Sequence, residues 1–137
     1  MANSKSIGVA FLDQDIIGAD YIYAAGEIGY GTGAQGTVTQ ATSKSTGVTL
    51  NKSAGQITMN GAALAAATNV TFTLNNSLIS SKDVIIVNVT GVASASAYNC
   101  WVANMTAGSA SITLRNTTGG ALAEAVIINY AIIHGAS

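Results

Sequence analysis

Val70-Thr71-Phe72-Thr73-Leu74 alternates three apolar side chains with two threonines. An extended backbone turns successive side chains to opposite faces, so Val70, Phe72 and Leu74 share one face and the threonines the other. The stretch reads as a half-buried strand. The same period continues on both sides of it. Toward the N-terminus, Ile57 and Met59 flank Thr58, and Val38, Val48 and Leu50 alternate with Thr and Asn. Toward the C-terminus, residues 84–89 are almost continuously β-branched, the pattern of a strand covered on both faces. Residues 97–104 put Tyr98, Cys100 and Val102 on one side and Trp101 and Ala103 on the other. Residues 110–115 alternate through Ile112 and Leu114, and 124–134 read as a long last strand, apolar on both faces.

Turn signals separate these runs: Asn60-Gly61, Asn75-Asn76, Ser80-Ser81-Lys82-Asp83, Gly91, Gly108 and Gly119-Gly120. Short strands spaced about 8 to 12 residues apart predict an all-β sandwich or small barrel over 37–137. Alanines at 62–67 favour helix, but six residues do not nucleate one alone, so a helical turn and a tight loop both fit. Residues 1–36 differ from the rest. They hold four of the six acids (Asp13, Asp15, Asp20, Glu27) and three of the five tyrosines (Tyr21, Tyr23, Tyr30), and they close on a glycine-dense stretch from Gly29 to Gly36. This predicts an extended N-terminal arm and a Gly-rich hinge.

Charged residues make up 8% of the 137, against roughly 25% in an average soluble domain. The surface must therefore be built from Ser, Thr, Asn, Gly and Ala. With a formal net charge of -1, copies of the chain repel one another weakly, which suits a protein that lives in an assembly. Five scattered basic residues form no patch for nucleic acid. The longest apolar run, 125–133, is broken by Asn129 and falls short of the roughly 20 residues that a membrane-spanning helix needs. The apolar stretch at 7–12 ends at Asp13 and is too short for a signal peptide. A single cysteine permits no internal disulfide, so nothing points to an oxidising compartment. The chain has no proline and only four lysines to protect strand edges, so the edges are expected to be covered by neighbouring subunits or an exchanged arm.

Each chemical motif has a plainer reading. Gly31-x-Gly33-x-x-Gly36 matches a dinucleotide fingerprint by letter, but a strand follows it where the fingerprint needs a helix. Cys100 and His134 are the only Cys and His; Cys100 sits mid-strand as a small hydrophobe, and no set of zinc ligands accompanies them. Asp13-x-Asp15 with Asp20 and Glu27 fits no calcium-loop template, and the plainer reading is that these acids keep an otherwise apolar arm soluble or pair with Lys or Arg of a partner. Six Asn-x-Ser/Thr triplets, at Asn51, Asn69, Asn75, Asn88, Asn104 and Asn116, follow from a sequence crowded with those residues. The β region holds two carboxylates, Asp83 and Glu124, at opposite strand starts, where no catalytic pair is evident. The expectation is a non-enzyme without cofactor or metal. A small β-sandwich hydrolase survives only if Asp83, Glu124 or His134 converge in a pocket. Tyr98 and Trp101 are aromatic anchors for an interface or a sugar ring, with core packing the plainer reading for the Trp.

The stretch Gly36-Thr-Val-Thr-Gln-Ala-Thr-Ser-Lys-Ser-Thr-Gly-Val-Thr-Leu-Asn-Lys, with Gly55-Gln-Ile-Thr-Met-Asn, resembles a β domain of tailed-bacteriophage virion proteins. Ile112-Thr-Leu-Arg-Asn-Thr-Thr-Gly-Gly and Glu124-Ala-Val-Ile-Ile-Asn-Tyr-Ala-Ile-Ile-His-Gly look like the closing strands of the same module, and Ser6-Ile-Gly-Val-Ala-Phe-Leu-Asp resembles the leader of short phage cement proteins. Such domains occur in capsid decoration (cement) proteins and in head-fibre or tail-fibre tips. The resemblance implies a jelly-roll-like antiparallel β-sandwich on the outer capsid surface of a virion. It also implies no catalytic residues, the major capsid protein as partner, and a homo-oligomer, a trimer before a dimer. On that reading Ile7, Val9, Phe11, Leu12, Ile16, Ile17, Tyr21 and Tyr23 of the arm lie against the capsid or a sister subunit. Tyr98, Trp101 and Tyr130 are the candidate anchors of the oligomer interface. The alternative is a receptor-binding fibre tip that grips host glycans through outward-facing aromatics.

Overall fold

Phe72 and Ile112 sit opposite each other at the centre of the second sheet, and the fold grows outward from that pair. The computed structural model describes residues 20–135. Its strands are β1 (Gln35–Thr39), β2 (Val48–Thr49), β3 (Ala54–Thr58), β4 (Asn69–Asn75), β5 (Val84–Gly91), β6 (Tyr98–Thr106), β7 (Ser109–Asn116) and β8 (Ile127–Ile133). They form two four-stranded sheets, ordered β1-β3-β8-β5 and β2-β4-β7-β6. The inward faces meet in one apolar cluster that includes Ile57, Phe72, Leu74, Ile112, Leu114, Ile128 and Ile132. The chain is an all-β sandwich.

The alternation that predicted β4 is realised in register. Val70 faces Leu114 and Phe72 faces Ile112 on the inner side, while Thr71 and Thr113 pair on the outer side with their hydroxyls 2.7 Å apart. Four pairings are antiparallel, as expected for the sandwich; β1–β3 and β2–β4 are parallel instead. The reason is topological. Apart from the β6–β7 hairpin, each connection between successive strands crosses to the opposite sheet, so a strand that returns after two crossings runs in its original direction. The hairpin turns at Gly108, whose φ of +83° suits a residue without a Cβ.

Two local expectations are corrected. Residues 84–89 are not covered on both faces: Val84 and Ile86 are 59% and 54% exposed, because none of the described residues forms a layer outside the first sheet. The last strand begins at Ile127 and is likewise one-sided, with Ile128, Tyr130 and Ile132 buried but Ile133 55% exposed. Residues 62–67 form a loop, held by the Leu64–Leu122 bridge, with no helical turn. The glycine-dense stretch contains one 3-10 turn at Thr32–Ala34, and β1 starts at Gln35, two residues earlier than the alternation suggested. Gly36 is a strand residue opposite Gly55, not a phosphate loop. A Cβ on Gly55 would lie 2.7 Å from Leu50 Cδ2 and 2.8 Å from the Gly36 carbonyl, so the close approach of β1 and β3 beneath Leu50 requires glycine there.

Buried amides pin the loops. Asn116 is fully buried, and its Nδ2 donates to the carbonyls of Leu64, Ala65 and Gly120 while its Oδ1 accepts from the Thr118 amide at 2.9 Å. Its Asn-x-Thr triplet therefore has a structural role. Gln40 and Asn76 do the same work in their own loops.

Candidate functional site

The outer face of the first sheet divides by row. Val84 on β5 pairs with Ile133 on β8, and Ile86 with Ala131, so an uncovered apolar strip runs along the β5 edge. The next row is amide and hydroxyl: Thr37, Gln56, Asn129 and Asn88 lie in register across four strands, and Gln56 Nε2 donates to Asn129 Oδ1 at 3.1 Å. Beside it an open trough of about 440 Å³ is lined by Gln35, Ala54, Gln56 and Asn129.

On the outer face of the second sheet, Trp101 is the one large apolar side chain exposed among the described residues. Trp101, 39% exposed, lies opposite Thr113, with Asn99 and Arg115 paired one row away and Arg115 Nη1 donating to Asn69 Oδ1 at 3.2 Å. Of the three aromatics expected at an oligomer interface, only Trp101 is at the surface. Tyr98 and Tyr130 are corrected to core residues, 7% and 3% exposed, because their strand positions point between the sheets. The Tyr130 hydroxyl donates to the Lys52 carbonyl at 3.0 Å, and burial pushes its pKa up to about 12. Tyr98 is also raised to about 12, by burial first and then by the Glu124 carboxylate that it faces.

Two of the three groups reserved for a hydrolytic site do meet. Asp83, buried at the start of β5, accepts from the Ser80 amide at 2.8 Å, the Ser80 hydroxyl at 2.9 Å, the Gly135 amide at 3.0 Å and His134 Nδ1 at 3.2 Å. The Ser80 amide chiefly holds its pKa down to about 2, against a smaller opposing effect of burial. Both the hydroxyl and the imidazole are turned onto the carboxylate, so the cluster clasps the end of the chain onto the loop before β5 and sets no base against the serine. Glu124 lies apart, its Oε2 accepting the Ala93 and Ser94 amides at 2.5 and 3.2 Å. Burial raises its pKa, and those amides with Tyr98 more than offset this to leave it lowered. Lys44 Nζ donates to the Asn60 and Glu124 carbonyls, both at 2.6 Å, and burial lowers its pKa against the opposing pull of Glu124.

Cys100 is half-buried between the β5 and β6 edges in an open crevice that it lines with Val87, Val89, Val92 and Tyr98, and burial raises its thiol pKa. Among the described residues, no three His, Cys, Asp or Glu side chains gather as for a metal, and no helix is long and apolar enough to cross a membrane.

The described part of the arm, 20–31, makes no strand or helix and is exposed throughout. Tyr21 and Tyr23 stack at 6.0 Å and are 77% and 89% exposed; Ile22 and Ile28 are 62% and 78% exposed. The Tyr30 hydroxyl donates to the Ile132 carbonyl, and Gln35 Nε2 donates to the Tyr30 carbonyl at 2.6 Å. Together these tie the root of the arm to the first sheet. Ile7, Val9, Phe11, Leu12, Ile16 and Ile17 lie outside the described residues. Sequence reasoning missed Val84, Ile86 and Ile133, because an apolar run reads the same whether its second face is covered or bare. No family model, curated protein or solved structure matches this chain.

Proposed function

We propose that this chain is a bacteriophage capsid decoration protein, a homo-oligomeric β-sandwich on the outer virion surface that binds the assembled major capsid shell and stabilises it. The observation that carries the reading is where the exposed apolar side chains lie. Among the described residues, eight of the ten large ones belong to the arm or to the strip along β5 and β8, in a chain with 8% charge. Gathered apolar surface of this kind marks contact with other protein. A protein that binds the assembled shell and not its free subunits stabilises the shell by linkage, and many copies add avidity. The reading includes no catalytic step, nucleic acid, membrane or cofactor.

The test is co-sedimentation of the protein with undecorated expanded capsids, comparing the full chain with one beginning at Gly31. Saturable binding lost on truncation supports decoration through the arm. Binding retained moves the contact to the sandwich, and absence of binding by the full chain overturns the reading.

One observation favours a second reading, a fibre-tip domain that binds host glycans. Trp101 presents its ring on a flat face of Thr, Asn and Arg side chains, a setting in which a sugar stacks and hydrogen-bonds. A glycan array read with the wild type and Trp101→Ala separates it from the first.

A further inference from the structure

We infer that the apolar strip formed by Val84, Ile86 and Ile133 is occupied by the tyrosine-rich arm, residues 20–30, of a second copy of this chain. The strip and the arm are neighbours on the molecule. Tyr30 bonds the carbonyl of Ile132, one residue from Ile133, so the arm leaves the body beside the strip, yet its own Tyr21, Ile22 and Tyr23 stay exposed and do not cover it. Two uncovered apolar elements with a common origin complete each other when copies exchange arms. Their charges agree as well. The arm carries Asp20 and Glu27, whereas the exposed Lys82 lies beside the strip in the loop just before β5. The centre of the strip carries no charge to repel an aromatic, and aromatics are the residues that anchor interfaces.

This names the interface of the oligomer in the proposed function, but it does not depend on shell binding, because the test uses the protein alone. Sedimentation velocity of the wild type is expected to show an oligomer, with Ile86→Asp and Tyr23→Ser each raising the dissociation constant about 30-fold or more. Circular dichroism checks that Ile86→Asp folds, and Tyr23→Ser changes no residue of the sandwich. In a Cys100→Ser background, Tyr23→Cys chains mixed with Ile86→Cys chains are expected to oxidise to a disulfide-linked heterodimer. A wild type that stays monomeric across the concentration range overturns the inference. So does an oligomer that both variants leave intact, or a cross-link that forms only when both cysteines are on one chain. Failure of the capsid experiment with these results intact would overturn decoration and leave arm exchange standing.

Discussion

Gly55 and Asp83 show how much of this fold depends on single side chains, one by lacking an atom and the other by gathering donors. Gly55→Ala puts a Cβ within 3 Å of Leu50, the Gly36 carbonyl and the Tyr130 ring, so β1 must shift away from β3. The expected cost is about 1–3 kcal/mol by chemical denaturation, while Gly119→Ala, which meets nothing within 4 Å, changes stability little. Asp83 has its folded pKa depressed from 3.8 to about 2, so the stability that it contributes is present above the unfolded value and is lost as pH falls through that window. Urea titrations of the wild type are expected to lose stability between about pH 4 and pH 2, and Asp83→Asn is expected to flatten that limb. An unchanged limb would assign the acid sensitivity to other carboxylates.

At the scale of elements, the strands are set by period and the loops by buried amides. Phe72 on β4 is 2% exposed at the centre of the cluster, and Phe72→Ala is expected to cost about 3–5 kcal/mol through lost burial and the cavity left behind. Asn116→Ala is expected to cost about 1–3 kcal/mol, because the carbonyls of Leu64, Ala65 and Gly120 lose their shared donor. Differential scanning calorimetry checks both. Hydrogen exchange is expected to report the second as faster opening of the loops at 62–68 and 117–122 before the sheets open. A uniform loss of protection would mean that the amide supports the whole sandwich.

For the whole molecule, the described body places its two sheets at 35–133 and its arm outside them, so a chain beginning at Gly31 is expected to stay within about 1 kcal/mol of the full chain as a monomer. In the proposed oligomer the same truncation removes the exchanged segment. The thermal midpoint of the full chain is therefore expected to rise with protein concentration and that of the shortened chain to stay constant. A midpoint independent of concentration in both would remove exchange as a source of stability.

The sequence by itself determined that the chain is β and where β4, β6 and β7 run. Alternation and glycine density are local properties, and Val70 to Leu74 alternate whatever they pack against. Tertiary structure alone decided which faces are bare. Val84, Ile86 and Ile133 became a strip because none of the described residues forms a third layer over the first sheet, and Tyr98 and Tyr130 became core because the opposite sheet does cover them. Burial is a relation between strands distant in sequence, as is the parallel pairing of β1 with β3 and of β2 with β4, and no local pattern encodes it.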